Sequence, residues 1–146
     1  MTEDERMIVR WLERSYRHWT GKALPGPAMA EIQRLEWLHR HADFALLAHD
    51  HTDDPRFMYA NAFALASFKY PASEFIGMPS RFSATDQDRP ARQQLLARVE
   101  ARGYADGYEG PRVDRQGALF TIRHGEVWNL NDSQGGYAGQ AALFRT

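Results

Sequence analysis

At 146 residues, 43% hydrophobic and 12% aromatic, the chain has the composition of one folded domain and no room for two independent cores. Its 18 basic and 19 acidic residues leave a net charge of -1, so no bulk field draws it to nucleic acid or to an anionic membrane. The absence of cysteine excludes disulfides, cysteine-ligated zinc and any thiol nucleophile.

The stretch Met1 to Arg14 is charged throughout and lacks the apolar run of a signal peptide. No apolar run approaches the ~20 residues that span a bilayer. The expectation is a cytoplasmic, soluble chain without membrane contact. Thr2 to Trp19 predicts an amphipathic helix, with Ile8, Trp11, Leu12, the small Ser15 and Trp19 on one stripe and Glu3, Asp4 and Glu5 in the first turn. Pro25-Gly26-Pro27 forms a loop, and a second helix is expected over Ala28 to Ala42 with Ile32, Leu35, Leu38 and Ala42 inward.

The pattern then shifts to strands. Phe44 to Asp50 and Phe57 to Ala60 read as a hairpin around Thr52-Asp53-Asp54-Pro55. Asn61 stands at the N-cap of a short helix, Ala62 to Phe68. Another helical turn, capped by Ser73, stops at Gly77, and a longer helix runs from Asp86 to Arg102, closed by Gly103. Tyr104 to Val113, Leu119 to Leu130 and Tyr137 to Phe144 are three further strands joined by polar turns. Two strands, a helical crossover and three strands predict an α+β, PAS-like five-stranded antiparallel sheet with helices on one face. Residues 1–42 would form an N-terminal helical extension and 43–146 the PAS-like domain.

Several blocks resemble one family. Ser15-Tyr16-Arg17-His18-Trp19-Thr20-Gly21, Leu46-Leu47-Ala48-His49 and Asp54-Pro55-Arg56-Phe57-Met58-Tyr59-Ala60-Asn61 are similar to segments of MEKHLA-domain proteins. Pro79-Ser80-Arg81-Phe82-Ser83-Ala84, Val127-Trp128-Asn129-Leu130 and Gly139-Gln140-Ala141-Ala142 continue the match in order. The resemblance, to the small stand-alone bacterial type, implies a PAS-related sensory module without naming its ligand. The plant members' transcriptional role is not carried over, because no homeodomain or zipper precedes the matching blocks.

Gly77-Met78-Pro79-Ser80-Arg81-Phe82 also resembles the flavin-binding segment of LOV domains, with Ser80 where the reactive cysteine stands. A serine hydroxyl is too weakly acidic to form that thiol adduct, so a flavin, if held by Arg81 and Phe82, would lack adduct chemistry. Haem is disfavoured, since no histidine lies on the helix from Asp86 to Arg102. The cofactor is left unassigned.

His49, Tyr59, Asn61, Phe63, Ser80, Arg81, Phe82, Trp128, Asn129 and Gln140 are the candidate pocket residues, since PAS ligands lie between sheet and helices. The competing reading for each is a filled core, with Asn61 acting only as a cap. Four of the six histidines, His39, His41, His49 and His51, lie close together beside Asp50, Asp53 and Asp54, but their spacing argues against a metal site. No catalytic residue is assigned. The functional expectation is a sensor or protein-interaction domain that binds a small molecule and signals through a homodimer or an unknown protein partner. Ile8, Trp11, Leu12 and Trp19 must either cover the chain's own sheet or form that dimer contact. The alternatives are a small metal-dependent or acid-base enzyme using His49 and Asp50, and a structural dimerisation domain with a filled core.

Overall fold

The computed structural model describes residues 1–146, and its first helix opens on a capping box. For α1 (Glu3–Thr20), Thr2 Oγ1 accepts from the Glu5 amide at 3.1 Å and Glu5 Oε1 accepts from the Thr2 amide at 2.7 Å. The loop after it runs on through Ala30, so α2 (Glu31–Arg40) is shorter than the expected helix. Glu31 pairs with Arg10 at 2.8 Å, and Arg34 pairs with Glu13. These contacts fix the rotation of α2 against α1. Ile32, about 100° around the helix from Glu31, is thereby turned to solvent at 73% exposure, while Leu35, Leu38 and Ala42 are buried.

Strands β1 (Ala45–His49), β2 (Phe57–Ala60), β3 (Tyr104–Val113), β4 (Leu119–Asn131) and β5 (Tyr137–Arg145) form one antiparallel sheet in the order β2-β1-β5-β4-β3. Side chains alternate between its faces. Leu46, Ala48, Trp128, Leu130, Ala141 and Leu143 pack with α1 and α2 on one face. Ala45, Leu47, Ile122, Val127 and Phe144 point to the other. There they meet the crossover, formed by α3 (Ala62–Phe68), α4 (Ala72–Phe75), a 3-10 turn over Ser80–Ser83 and α5 (Arg89–Arg102). The sheet is therefore PAS-like, and the N-terminal extension covers the face that the crossover leaves bare.

The α1 stripe thus has its partner within the chain. Ile8 and Leu12 are buried in the core, and Trp11 and Trp19 pack partly against it. Ser15 Oγ donates to the Asn131 carbonyl and accepts from its amide, and Trp19 Nε1 donates to the Asn129 carbonyl at 2.9 Å. The expectation that Ile8 and Leu12 offer a dimer contact is corrected: burial on the chain's own sheet removes both from the surface.

Two local boundaries also differ. α4 begins after Pro71, so Ser73 lies inside it and is not its cap. α5 begins at Arg89 because Thr85 and Asp88 close a turn, Thr85 Oγ1 donating to Asp88 Oδ2 at 2.6 Å. Gly103 ends α5 at φ 95°, and a Cβ there would stand 2.2 Å from the Trp19 ring. Only glycine admits that close approach.

Candidate functional site

His49 ends the apolar strand β1, and the pleat turns its ring toward α5. Its Nδ1 lies 3.1 Å from Ser80 Oγ and its Nε2 lies 3.2 Å from Gln140 Oε1. Arg92 Nη2 donates to Ser80 Oγ at 2.6 Å, and Gln140 Nε2 donates to the Leu96 carbonyl at 2.8 Å. These contacts assign the protons. The Gln140 amide nitrogen is engaged by Leu96, so Oε1 faces His49 and Nε2 is the protonated ring nitrogen. Nδ1 then accepts from the Ser80 hydroxyl. Burial, and next the Arg92 charge, push the His49 pKa down to about 4, so the ring is neutral near pH 7.

This polar row separates two spaces. On the inner side is a cavity of about 70 Å³ between sheet and helices, lined by Leu47, Phe68, Leu95, Val127, Phe144 and Arg112 among others. On the outer side is a polar cleft of about 500 Å³, bordered by Asp50, Asp54, Ser80, Arg81 and Tyr137. His49, Arg92, Leu96 and Gln140 border both spaces.

Of the sequence-predicted pocket residues, His49, Ser80 and Gln140 meet in this row. Asn129 stands behind it, its Nδ2 donating to the Glu100 carbonyl at 3.2 Å while Gln140 Nε2 approaches its Oδ1 at 3.5 Å. Trp128 is corrected to the opposite face, edge-on to Tyr16 with centroids 5.0 Å apart, because strand alternation reverses it relative to Asn129. Tyr59 also belongs to the α2 side, its hydroxyl 2.7 Å from His39 Nδ1. Asn61 is a cap and a buried hub: Oδ1 accepts from the Ala64 and Leu46 amides, and Nδ2 donates to the Leu38 and Phe44 carbonyls. Phe63 packs beside the α3 core and lines neither space.

Arg81 is exposed and paired with Asp54 at 3.0 Å, and its guanidinium lies 4.4 Å from the Phe82 ring centroid. Phe82 is 42% exposed and does not line the cavity. A pocket for a flavin-sized group needs at least roughly 300 Å³. The 70 Å³ cavity therefore does not fit a flavin.

The enzyme alternative finds His49 beside Ser80, but Asp50 does not join them. Its Oδ1 accepts from the Thr52 hydroxyl at 2.8 Å and from the Arg56 amide at 3.1 Å. Ser80 has 0% exposure, and its hydroxyl is taken up by His49 and Arg92. The histidines disperse, and no group of three His, Asp or Glu side chains converges on a metal position.

Sequence reasoning missed Arg92 and Arg112. Arg92 lies three residues before Leu95 and seven before Val99, on the inward stripe of α5, where an arginine is out of place. That spacing is the signal that marks it.

The MEKHLA domain model matches residues 6–146, extension and sheet together. The chain belongs to the MEKHLA domain family. No curated protein matches the sequence. Among solved structures it is similar to the PAS domain of a Colwellia psychrerythraea protein, with a TM-score of 0.67 at 16% identity over 78% of this chain and 93% of that one. It is also similar to the Ile74Val variant of Vivid, with a TM-score of 0.64 at 15% identity over 95% and 99%. The light-state dimer of Vivid, a fungal blue-light photoreceptor, gives 0.65 at 15% identity over 95% and 93%. At these identities the likeness shows the fold alone: this MEKHLA chain has the PAS/LOV architecture. No helix is long and apolar enough to cross a membrane.

Proposed function

We propose that this MEKHLA domain senses a small molecule in the cavity behind His49 and passes its occupancy to α1. The observation that carries the reading is a continuous polar route through the sheet. His49 contacts Gln140, Gln140 contacts Asn129, and the Asn129 carbonyl holds Trp19 at the end of α1. A ligand that rearranges the Gln140 amide alters the strand residue to which α1 is tied. Signalling requires that it bind the two arrangements with different affinity.

The output is a change in how the N-terminal extension meets a second copy or another protein. The light-state dimer among the structural neighbours supports the homodimer form of this output, and Ile32 with Met7 and Met29 gives the extension exposed apolar side chains. Light scattering of the full chain tests it, and a strict monomer at high concentration argues for a heterologous partner.

The sensory reading is tested without a ligand. Ala142 lines the cavity from β5, and Ala142→Leu fills it. Hydrogen exchange in the last turn of α1 is expected to change in Ala142→Leu and to return to the wild-type pattern when Gln140→Leu is added. Exchange in α1 that ignores the filled cavity overturns the reading.

A further inference from the structure

The sensory reading leaves the chemistry of the ligand open, and the two arginines of the cavity bear on it. Arg92 and Arg112 are each only 7% exposed. The chain's ion pairs all run through other residues. Arg34, also largely covered, has Glu13 as its counter-charge; Arg92 and Arg112 have none. Arg92 makes one side-chain hydrogen bond, to the neutral Ser80 hydroxyl. Arg112 donates to the Tyr108 hydroxyl and to the Pro111 carbonyl, both at 2.8 Å.

Buried charges are ordinarily paired, since desolvation of an unpaired one is not offset. Here two like charges share one small space. Burial, then the Arg112 charge, lowers the Arg92 pKa to about 10, which still leaves the guanidinium protonated near neutrality. The acidic groups nearby do not neutralise the pair. Asp50 is engaged by Thr52 and Arg56, and Asp54, whose charge reaches Arg92 only from beyond ion-pairing distance, is bonded to Arg81. Asp53 and Glu100 border only the outer cleft. Their charges disfavour an anion that stops in the cleft and leave the inner side as its place.

Resting on the sensory reading, we propose that the cavity takes a small monocarboxylate, its carboxylate on Arg92 and Arg112 and its short apolar chain against Leu47, Leu95, Val127 and Phe144. The guanidinium fork matches a carboxylate, and eleven of the sixteen lining residues are hydrophobic, which suits an apolar tail. Size narrows the class further. A cavity of ~150 Å³ admits benzene, with its six heavy atoms, so 70 Å³ accepts roughly three or four heavy atoms in all, carboxylate included, which is the size of acetate.

The experiment measures melting temperature and calorimetric binding on the full chain with sodium acetate, acetamide and inorganic phosphate at equal concentration. Acetate is expected to bind and to raise the melting temperature. Acetamide, the same shape without the charge, is expected to bind about ten-fold more weakly or worse, and phosphate, without an apolar body, to give no shift. Arg92→Gln is expected to lose the acetate response while melting no lower than wild type, because it removes an unpaired buried charge. Arg112→Gln provides the second variant should the first misfold. Equal binding of acetate and acetamide, or an Arg92→Gln chain that still responds to acetate, overturns the carboxylate inference and leaves a sensory pocket standing. Absence of any response from formate through propanoate also overturns it, while the Ala142→Leu exchange experiment judges the sensory reading separately.

Discussion

The indole N–H of Trp19 donates to the main-chain carbonyl of Asn129 across 2.9 Å, and the Asn129 side chain reaches α5 on the other face of the sheet. One strand residue thus touches both helical layers. Trp19→Phe keeps most of the ring and removes the donor, so a loss of about 1 kcal/mol is expected. The loss should appear as faster hydrogen exchange at the end of α1, with the β1–β5 amides unchanged. Uniform loosening of the whole chain would contradict a local tie.

Gly103 sits under the same indole. Gly103→Ala combines a left-handed backbone at φ 95° with a Cβ driven into the Trp19 ring. Destabilisation of roughly 2–3 kcal/mol is expected in urea unfolding. Adding Trp19→Ala should make the pair less harmful than the sum of the two single changes, since the clash disappears. Strict additivity would place the cost elsewhere.

Asn61 joins the helix layer to the strands through four hydrogen bonds, to Leu38, Phe44, Leu46 and Ala64. Asn61→Ala strands buried carbonyls and amides together and is expected to cost at least about 3 kcal/mol. Asn61→Asp keeps the acceptor but loses both donors, so it should not rescue. Thermal melting of both variants checks this.

His49 gives the stability a pH dependence of known sign. Its pKa falls from 6.5 in the unfolded chain to about 4 in the folded one. Between those values the unfolded chain binds more protons, so stability is full above pH 6.5 and declines as pH falls toward 4. The contribution is roughly 3 kcal/mol. His39 is shifted downward as well, chiefly by burial, and works in the same direction. His49→Gln should therefore flatten the acid limb without abolishing it. A slope identical to that of wild type would mean that the ring charges freely in the fold.

Much of the local structure was legible because it is local. The bounds of β2, α3 and β3 and the capping role of Asn61 follow from turn residues, alternation and cap chemistry that neighbouring residues express. The site was legible only in part. His49, Ser80 and Gln140 were found through the family blocks, and they meet because β1, the 3-10 turn and β5 converge. Tyr59 and Trp128 belong to the same blocks but face α1 and α2, since a block carries no record of strand parity relative to a helix layer. Arg92 was passed over because an arginine on a helix normally reads as solvated.

The sequence by itself determined the element order, the PAS-like sheet and the family, because periodicity, caps and family blocks are written in short stretches of chain. Only the tertiary structure decided where α1 goes and what the cavity contains. An amphipathic stripe needs an apolar surface without specifying whose, and here the chain's own sheet supplies it. The charge of a pocket likewise depends on which carboxylates come within reach after folding, and none comes within ion-pairing reach of Arg92 or Arg112.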